Sequence, residues 1–285
     1  ALIAWAVCIL LVGLIAVGTV RVVSSVASSK KRQFRQDGIE KLVSGDYTGA
    51  IEAFDTALEK SGKKSDGFNS DVLGYRAEAE YKLRDYEAAV HTYGLLLEMK
   101  PDTAVYLYAQ SMCYAHLGDT DNAIDRYHAG NAVQKEDKDE AGRQEALFAA
   151  GGACVDAGEY EKAMGLYQDA IREGVKHGQV YNQMGLCQMA EKDYQGALDS
   201  FNQGYETFVT GHSLGSGAEP AQAAAALNAD ARADMALLKE LVYNRAVAYE
   251  YLSEYKKALG LFEDYVSVFG PNEDAEHEIA FLKTR

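Results

Sequence analysis

The sequence predicts an all-α protein: a series of paired helices stacked on one another, preceded by one apolar N-terminal helix. Three observations predict it. One hairpin-like pattern recurs six times between residues 31 and 272. Only three prolines, Pro101, Pro220 and Pro271, interrupt 285 residues, and proline is what breaks helix interiors. The first 20 residues carry no charge.

That opening run is rich in branched apolar residues, from Ile9 through Val17, and continues past Arg21 to Val23. About 20 apolar residues in a helix span roughly 30 Å, the hydrocarbon thickness of a bilayer. Residues 1–23 are therefore expected to form a single transmembrane helix, with 24–30 as a juxtamembrane linker. Trp5 suits an interface, and Arg21 can reach toward headgroups. A buried core helix is a second reading, disfavoured by a run this long and evenly apolar. A cleaved signal peptide is a third: Ser25-Val26-Ala27 supplies small residues, but the run is longer than such peptides use. Lys30, Lys31, Arg32 and Arg35 follow the run, and positive charge stays on the cytoplasmic side. This flank favours a cytoplasmic body, although a few basic residues upstream of Ala1 would reverse the orientation.

The net charge is −15. Residues 1–32 hold four basic residues and no acid, so the remainder has 24 basic against 43 acidic residues. A body this acidic repels a phosphate backbone, and no nucleic-acid partner is expected.

The repeat is read from three columns. A turn hexapeptide recurs at Gly45-Asp46-Tyr47, Arg84-Asp85-Tyr86, Gly118-Asp119-Thr120, Gly158-Glu159-Tyr160, Lys192-Asp193-Tyr194 and Ser253-Glu254-Tyr255. It ends each time on an alanine: Ala50, Ala89, Ala123, Ala163, Ala197 and Ala258. Four residues later comes a ring: Phe54, Tyr93, Tyr127, Tyr167, Phe201 and Phe262. Nine residues before the turn aromatic lies a small residue: Gly38, Ala77, Ser111, Gly151, Gly185 and Ala246. Glycine ends the first helix of each pair, and the acid caps the second. The small residues are expected where paired helices approach closely, and the rings are expected to fill space between neighbouring hairpins.

These columns resemble the tetratricopeptide repeat, a helix–turn–helix unit of about 34 residues. The resemblance covers six units: 31–64, 70–103, 104–137, 144–177, 178–211 and 239–272. It implies a right-handed α-solenoid. Thr120 departs from the aromatic column, Arg84 and Lys192 from the turn glycine, and Leu96 and Tyr265 from a small site in the second helix. A capping helix is expected over 273–285, where Ala275, Ile279 and Leu282 share one stripe. Interruptions fall at 65–69, 138–143 and 212–238. The last, with Pro220 at a helix start and an alanine run behind it, is expected either to lengthen the first helix of the sixth repeat or to pack beside it. It can be a gate over a groove or a plain surface insertion.

No catalytic site or cofactor is expected. Cys113, Cys154 and Cys187 recur in first helices with no CxxC pair and read as buried free thiols. The six histidines have no metal-ligand spacing. Ser61-Gly62-Lys63-Lys64 and Gly215-Ser216-Gly217 follow no strand.

The resemblance further implies a concave groove, lined by first helices, that holds peptides or proteins. Helical phase places Tyr75, Tyr108, Met112, Phe148, Leu186, Tyr243 and Tyr251 on or near it, with Asn182 among the polar positions. The clamp of Lys, Asn and Arg by which some family members grip a C-terminal carboxylate is missing. Tyrosine and methionine suit an apolar or mixed partner, and the acidic body suits basic flanks on it. The expected function is a non-catalytic, membrane-anchored scaffold or adaptor. The alternative is self-assembly into a homo-oligomeric component of a membrane complex; an accessory enzyme subunit is a further reading.

Overall fold

The computed structural model describes residues 29–62, 66–134, 142–227 and 231–285. Every regular element among them is a helix. The predicted transmembrane run 1–23, with Trp5 and Cys8, lies outside the described residues. Within them, no helix is long and apolar enough to cross a membrane.

Six hairpins follow in order: α1 (29–44) with α2 (Tyr47–Ser61), α3 (Asp66–Leu83) with α4 (Tyr86–Met99), and α5 (Ala104–His116) with α6 (Thr120–Val133). Then come α7 (Arg143–Asp156) with α8 (Tyr160–Arg172), α9 (Gly178–Ala190) with α10 (Tyr194–Gly211), and α12 (Arg232–Tyr251) with α13 (Tyr255–Phe269). A short helix, α11 (Pro220–Ala226), precedes the sixth hairpin, and α14 (Glu273–Leu282) follows it. The chain forms two compact units that part between Ala150 and Gly151, inside α7.

All six turns have one geometry. The residue at the glycine column is left-handed each time, with φ of 84° at Gly45, 66° at Arg84, 73° at Gly118, 73° at Gly158, 66° at Lys192 and 61° at Ser253. The next amide reaches back to close the first helix, as Asp46 N does to Lys41 O (2.9 Å) and Asp193 N to Gln188 O (2.8 Å). These bonds satisfy carbonyls that the helix end would otherwise orphan. The acid then caps the second helix. Asp46, Asp85, Asp119 and Asp193 accept from the third amide beyond, at 3.0 to 3.2 Å. Glu159 and Glu254, one methylene longer, make no such bond and pair instead with Lys162 and Lys257.

The small and ring columns meet directly in the three hairpins that have a glycine in the small column. A Cβ on Gly38 would stand 2.6 Å from Phe54 Cδ1, and one on Gly185 would stand 2.6 Å from Phe201 Cδ1. Phe54, Tyr127, Tyr167, Phe201 and Phe262 are wholly buried. The expectation that the rings fill space between hairpins holds in part: Phe54, Tyr167 and Phe201 are also seated on their own partner helix, where a glycine makes room. Contact with the next hairpin is additional, as where Phe54 stacks on Tyr75 with ring centroids 6.0 Å apart.

In the first unit the second helix of each hairpin leans on the next first helix, α2 on α3 and α4 on α5. In the second unit α8 packs on α9, α10 on α12, and α13 on α14. Ala275 and Leu282 of α14 are buried against Ala246, Ala258 and Phe262, as its stripe predicts. Its opposite side exposes Glu273, Asp274, Glu276 and His277.

Both expectations for the insertion hold in part. The first helix of the sixth hairpin starts at Arg232, seven residues before the expected 239, and α11 is a separate helix packed on α12 and α13. Ala223 lies in a cluster with Tyr205, Phe208, Leu238 and Leu241. Tyr205 donates its hydroxyl to Ala218 O (2.7 Å), and the Glu206 carboxylate accepts from Ser216 Oγ and Gly217 N (2.9 and 3.2 Å). The insertion is therefore stitched to the second helices α10 and α13 and to the first helix α12.

Candidate partner-binding site

The eight residues predicted to meet a partner divide between the two units. Tyr75, Tyr108, Met112 and Phe148 lie in the first; Asn182, Leu186, Tyr243 and Tyr251 lie in the second.

In the first unit, Tyr75 of α3 is half-buried and already engaged by two neighbours. Phe54 stacks on its ring, and the Arg35 guanidinium lies 5.3 Å from the ring centroid. Arg35 also pairs with Asp71, which raises its pKa. Tyr108 departs from expectation. It has no exposed surface, and its hydroxyl sits between the side-chain amides of Asn131 and Gln134 (2.7 and 2.8 Å). The physical reason is Gly130 of α6, whose Cβ would stand 2.7 Å from Tyr108 Cδ1. Here the seat is inverted, with the ring on the first helix and the gap on the second. Tyr108 is thus a core residue, and a partner does not reach it. Met112 and Phe148 are half-buried.

In the second unit, Asn182 of α9 is also wholly buried. It donates to Glu240 Oε2 (2.9 Å) and accepts from Asn244 Nδ2 (2.9 Å), tying α9 to α12. Its role is to join two first helices. Tyr243 presents its ring edge-on to Phe262 and Tyr265, at 5.4 and 5.6 Å. Tyr265, the departure from the small site in the second helix, is accommodated in this aromatic corner. Burial, then Asp274, Glu278 and Glu250, pushes the Tyr243 phenol above its ordinary range. Tyr251 is 58% exposed and stacks on Tyr194 at 4.6 Å. Tyr86 and His116 form the equivalent stack in the first unit at 4.5 Å. Leu186 is 38% exposed on α9.

Among the predicted residues, Leu186 and Tyr251 therefore present the most surface, with Met112, Phe148 and Tyr243 partly open. A compositional signal passed over in the repeat columns also marks these faces. Neither α5 nor α9 contains a single Asp, Glu, Lys or Arg, whereas α6, α8 and α10 carry acids or bases along their length. Met189, about one turn beyond Leu186, is half-buried and packs against the cluster of Ala197, Leu198, Phe201 and Ala248.

The described cysteines are free and buried. Burial pushes the Cys113 thiol up to about 12 and the Cys187 thiol up to about 11. His177 caps α9 by accepting from Gln179 N at 3.2 Å, and burial lowers its pKa. No group of three His, Cys, Asp or Glu among the described residues is placed to hold a metal ion.

Residues 38–90 and 75–130 match the family described as Tetratricopeptide repeat. The fold is similar to a crystal structure of MamA protein, at 19% identity and a TM-score of 0.50, covering 63% of this chain and 92% of that one. It is equally similar to a tetratricopeptide repeat protein from Parabacteroides merdae ATCC 43184, at 16% identity and a TM-score of 0.50, covering 90% of this chain and 99% of that one. These likenesses establish the fold as a tetratricopeptide repeat fold. A search of curated proteins gives no match.

Proposed function

We propose that this chain is a non-catalytic interaction scaffold, held at a membrane by residues 1–23, whose first-helix faces bind a segment of another protein. The carrying observation is the pair of uncharged but incompletely covered first helices, α5 and α9. A helix face left to solvent alone normally carries charge. Met112 on α5 and Leu186 on α9 each instead offer apolar area, which suits an adaptable protein-binding surface on either helix. The acidic body favours a partner with basic flanks.

The anchor rests on the uncharged run, and the Lys30-Lys31-Arg32 flank favours a cytoplasmic body. A nucleophile would need a lowered thiol pKa; the opposite shift at Cys113 and Cys187 supports a non-catalytic reading. Self-assembly by extension of the helix stack is disfavoured by α14, whose outward side is acidic and so ends the stack.

The test is site-specific photo-crosslinking in intact membranes. A crosslinker at Met112 or Leu186 should capture a discrete partner, whereas one at the exposed outer positions Asp125 or Glu161 should not. Capture only from the outer positions would overturn the assignment. Release of the chain by alkaline extraction would overturn the anchor.

A further inference from the structure

We propose that the exposed basic end of α1, together with Lys60 of α2, is a contact surface for anionic phospholipid headgroups. The proposal rests on the membrane-anchor reading and gives the anchored body a second, electrostatic hold on the bilayer.

Four basic residues open α1 without an intervening acid: Lys30, Lys31, Arg32 and Arg35. The fold uses two of them. Lys31 donates to Ser61 Oγ (3.3 Å) with its ammonium 4.4 Å from the Phe68 ring centroid, and Arg35 pairs with Asp71. The other two, Lys30 and Arg32, are exposed, and neither pairs with a carboxylate among the described residues. Lys60, in the last turn of α2, is likewise unpaired there.

Lys30 and Lys60 come together. With Gln33, Phe34 and Asp37 they line an open cleft of about 440 Å³. The acid in that cleft does not neutralise them, because Asp37 is paired with Lys41 at 3.1 Å. The cleft is therefore cationic on a chain whose net charge is −15. It takes an oxyanion against the two ammonium groups, with the Gln33 amide as a further donor and Phe34 as apolar wall.

Its place in the chain names the source of that anion. Only residues 24–28 separate the apolar run from α1, and five residues span at most roughly 18 Å. The cleft is thus tethered within a short distance of the interface, where surface potential acts over about 8–10 Å. A tether this short makes headgroup contact effectively intramolecular.

The experiment uses the full chain in nanodiscs of phosphatidylcholine alone, or of phosphatidylcholine with phosphatidylglycerol, and reads amide exchange over 29–36 and 57–62. Anionic discs should slow exchange there by roughly fivefold or more, with no change over α13. High salt and the double variant Lys30→Glu/Lys60→Glu should each abolish the difference. Equal exchange in both discs, or an undiminished difference in the double variant, overturns the proposal. So does equal protection when inorganic phosphate is added to phosphatidylcholine discs, because the cleft would then be a phosphate site. Circular dichroism of the variant checks that the fold is kept. The anchor is tested apart, by alkaline extraction: a chain that is released fails that reading and the proposal with it, whereas a chain that stays but exchanges equally fails the proposal alone.

Discussion

Gly151 and Gly152 are neighbours in α7, and the structure requires them to respond differently to the same substitution. A Cβ on Gly151 would lie 2.8 Å from Tyr167 Cε1 and closer still to Cζ and Oη. Tyr167 has no exposed surface, so its ring has nowhere to swing. Overpacking of this kind costs about 1–3 kcal/mol. A Cβ on Gly152 meets nothing within 4 Å. Both substitutions gain the helix propensity of alanine over glycine, about 1 kcal/mol. That gain cancels in the comparison, so Gly151→Ala should be less stable than Gly152→Ala by about 1–3 kcal/mol. Against the parent chain, Gly152→Ala should be the more stable. Urea unfolding followed by circular dichroism gives the order. Amide exchange in α7 and α8 localises it, which matters because stacked repeats need not unfold as one unit. Equal midpoints for the two variants would refute the seat of Tyr167 on Gly151, and with it the account of the small column.

Ala163 is wholly buried, so Ala163→Leu should cost about 1–3 kcal/mol; an unchanged melting temperature would show that α7 and α8 are not close there. Arg84→Gly should raise stability by about 1 kcal/mol, because arginine at φ 66° bears a left-handed penalty that glycine avoids; a lowered denaturation midpoint would argue against it. Glu80 is 1% exposed, and burial raises its pKa above 4.5, against the opposing effects of Thr92 and Arg76. Its ionised form is thus penalised in the fold above the raised value, and the penalty is relieved as pH falls toward 4.5. Glu80→Gln should accordingly be no less stable than the parent at neutral pH, since Arg76 keeps Asp55 at 2.7 Å, and should gain less on acidification. Melting temperatures of both chains across that range give the comparison, and a large loss in the variant at neutral pH would reverse the sign assigned to Glu80.

The hairpins were legible because their signals are local. The turn demands a left-handed residue and an acid beside it, and six chain segments present that chemistry within a few positions. Even Arg84, Lys192 and Ser253 follow, since the backbone bonds that close the first helix do not depend on the side chain. The candidate site was less legible because its residues are decided by distant partners. Tyr108 reads as a groove residue until Gly130, on the facing helix, is seen to leave the space it fills; that glycine, in a helix interior with no turn to make, was the available clue. Asn182 is committed by Glu240 and Asn244, which stand on another hairpin. Tyr75 is engaged by Phe54 and Arg35 from α2 and α1. The division of the insertion into α11 and an extended α12 depends on burial against Tyr205 and Phe208, which helix propensity does not reveal.

Because Phe54, Tyr167 and Phe201 are seated within their own hairpins, a junction between hairpins can change without unseating them. The interruption at 212–238 falls at such a junction, whereas residues 66–69 of the expected 65–69 interruption are the first residues of α3, with Phe68 packed against the Ala50 and Phe54 cluster. The 212–238 insertion carries a helix of its own without displacing Phe201 or Phe262 from burial. A reporter, a protease site or a whole additional hairpin can be spliced there, and the modules on either side keep their internal locks.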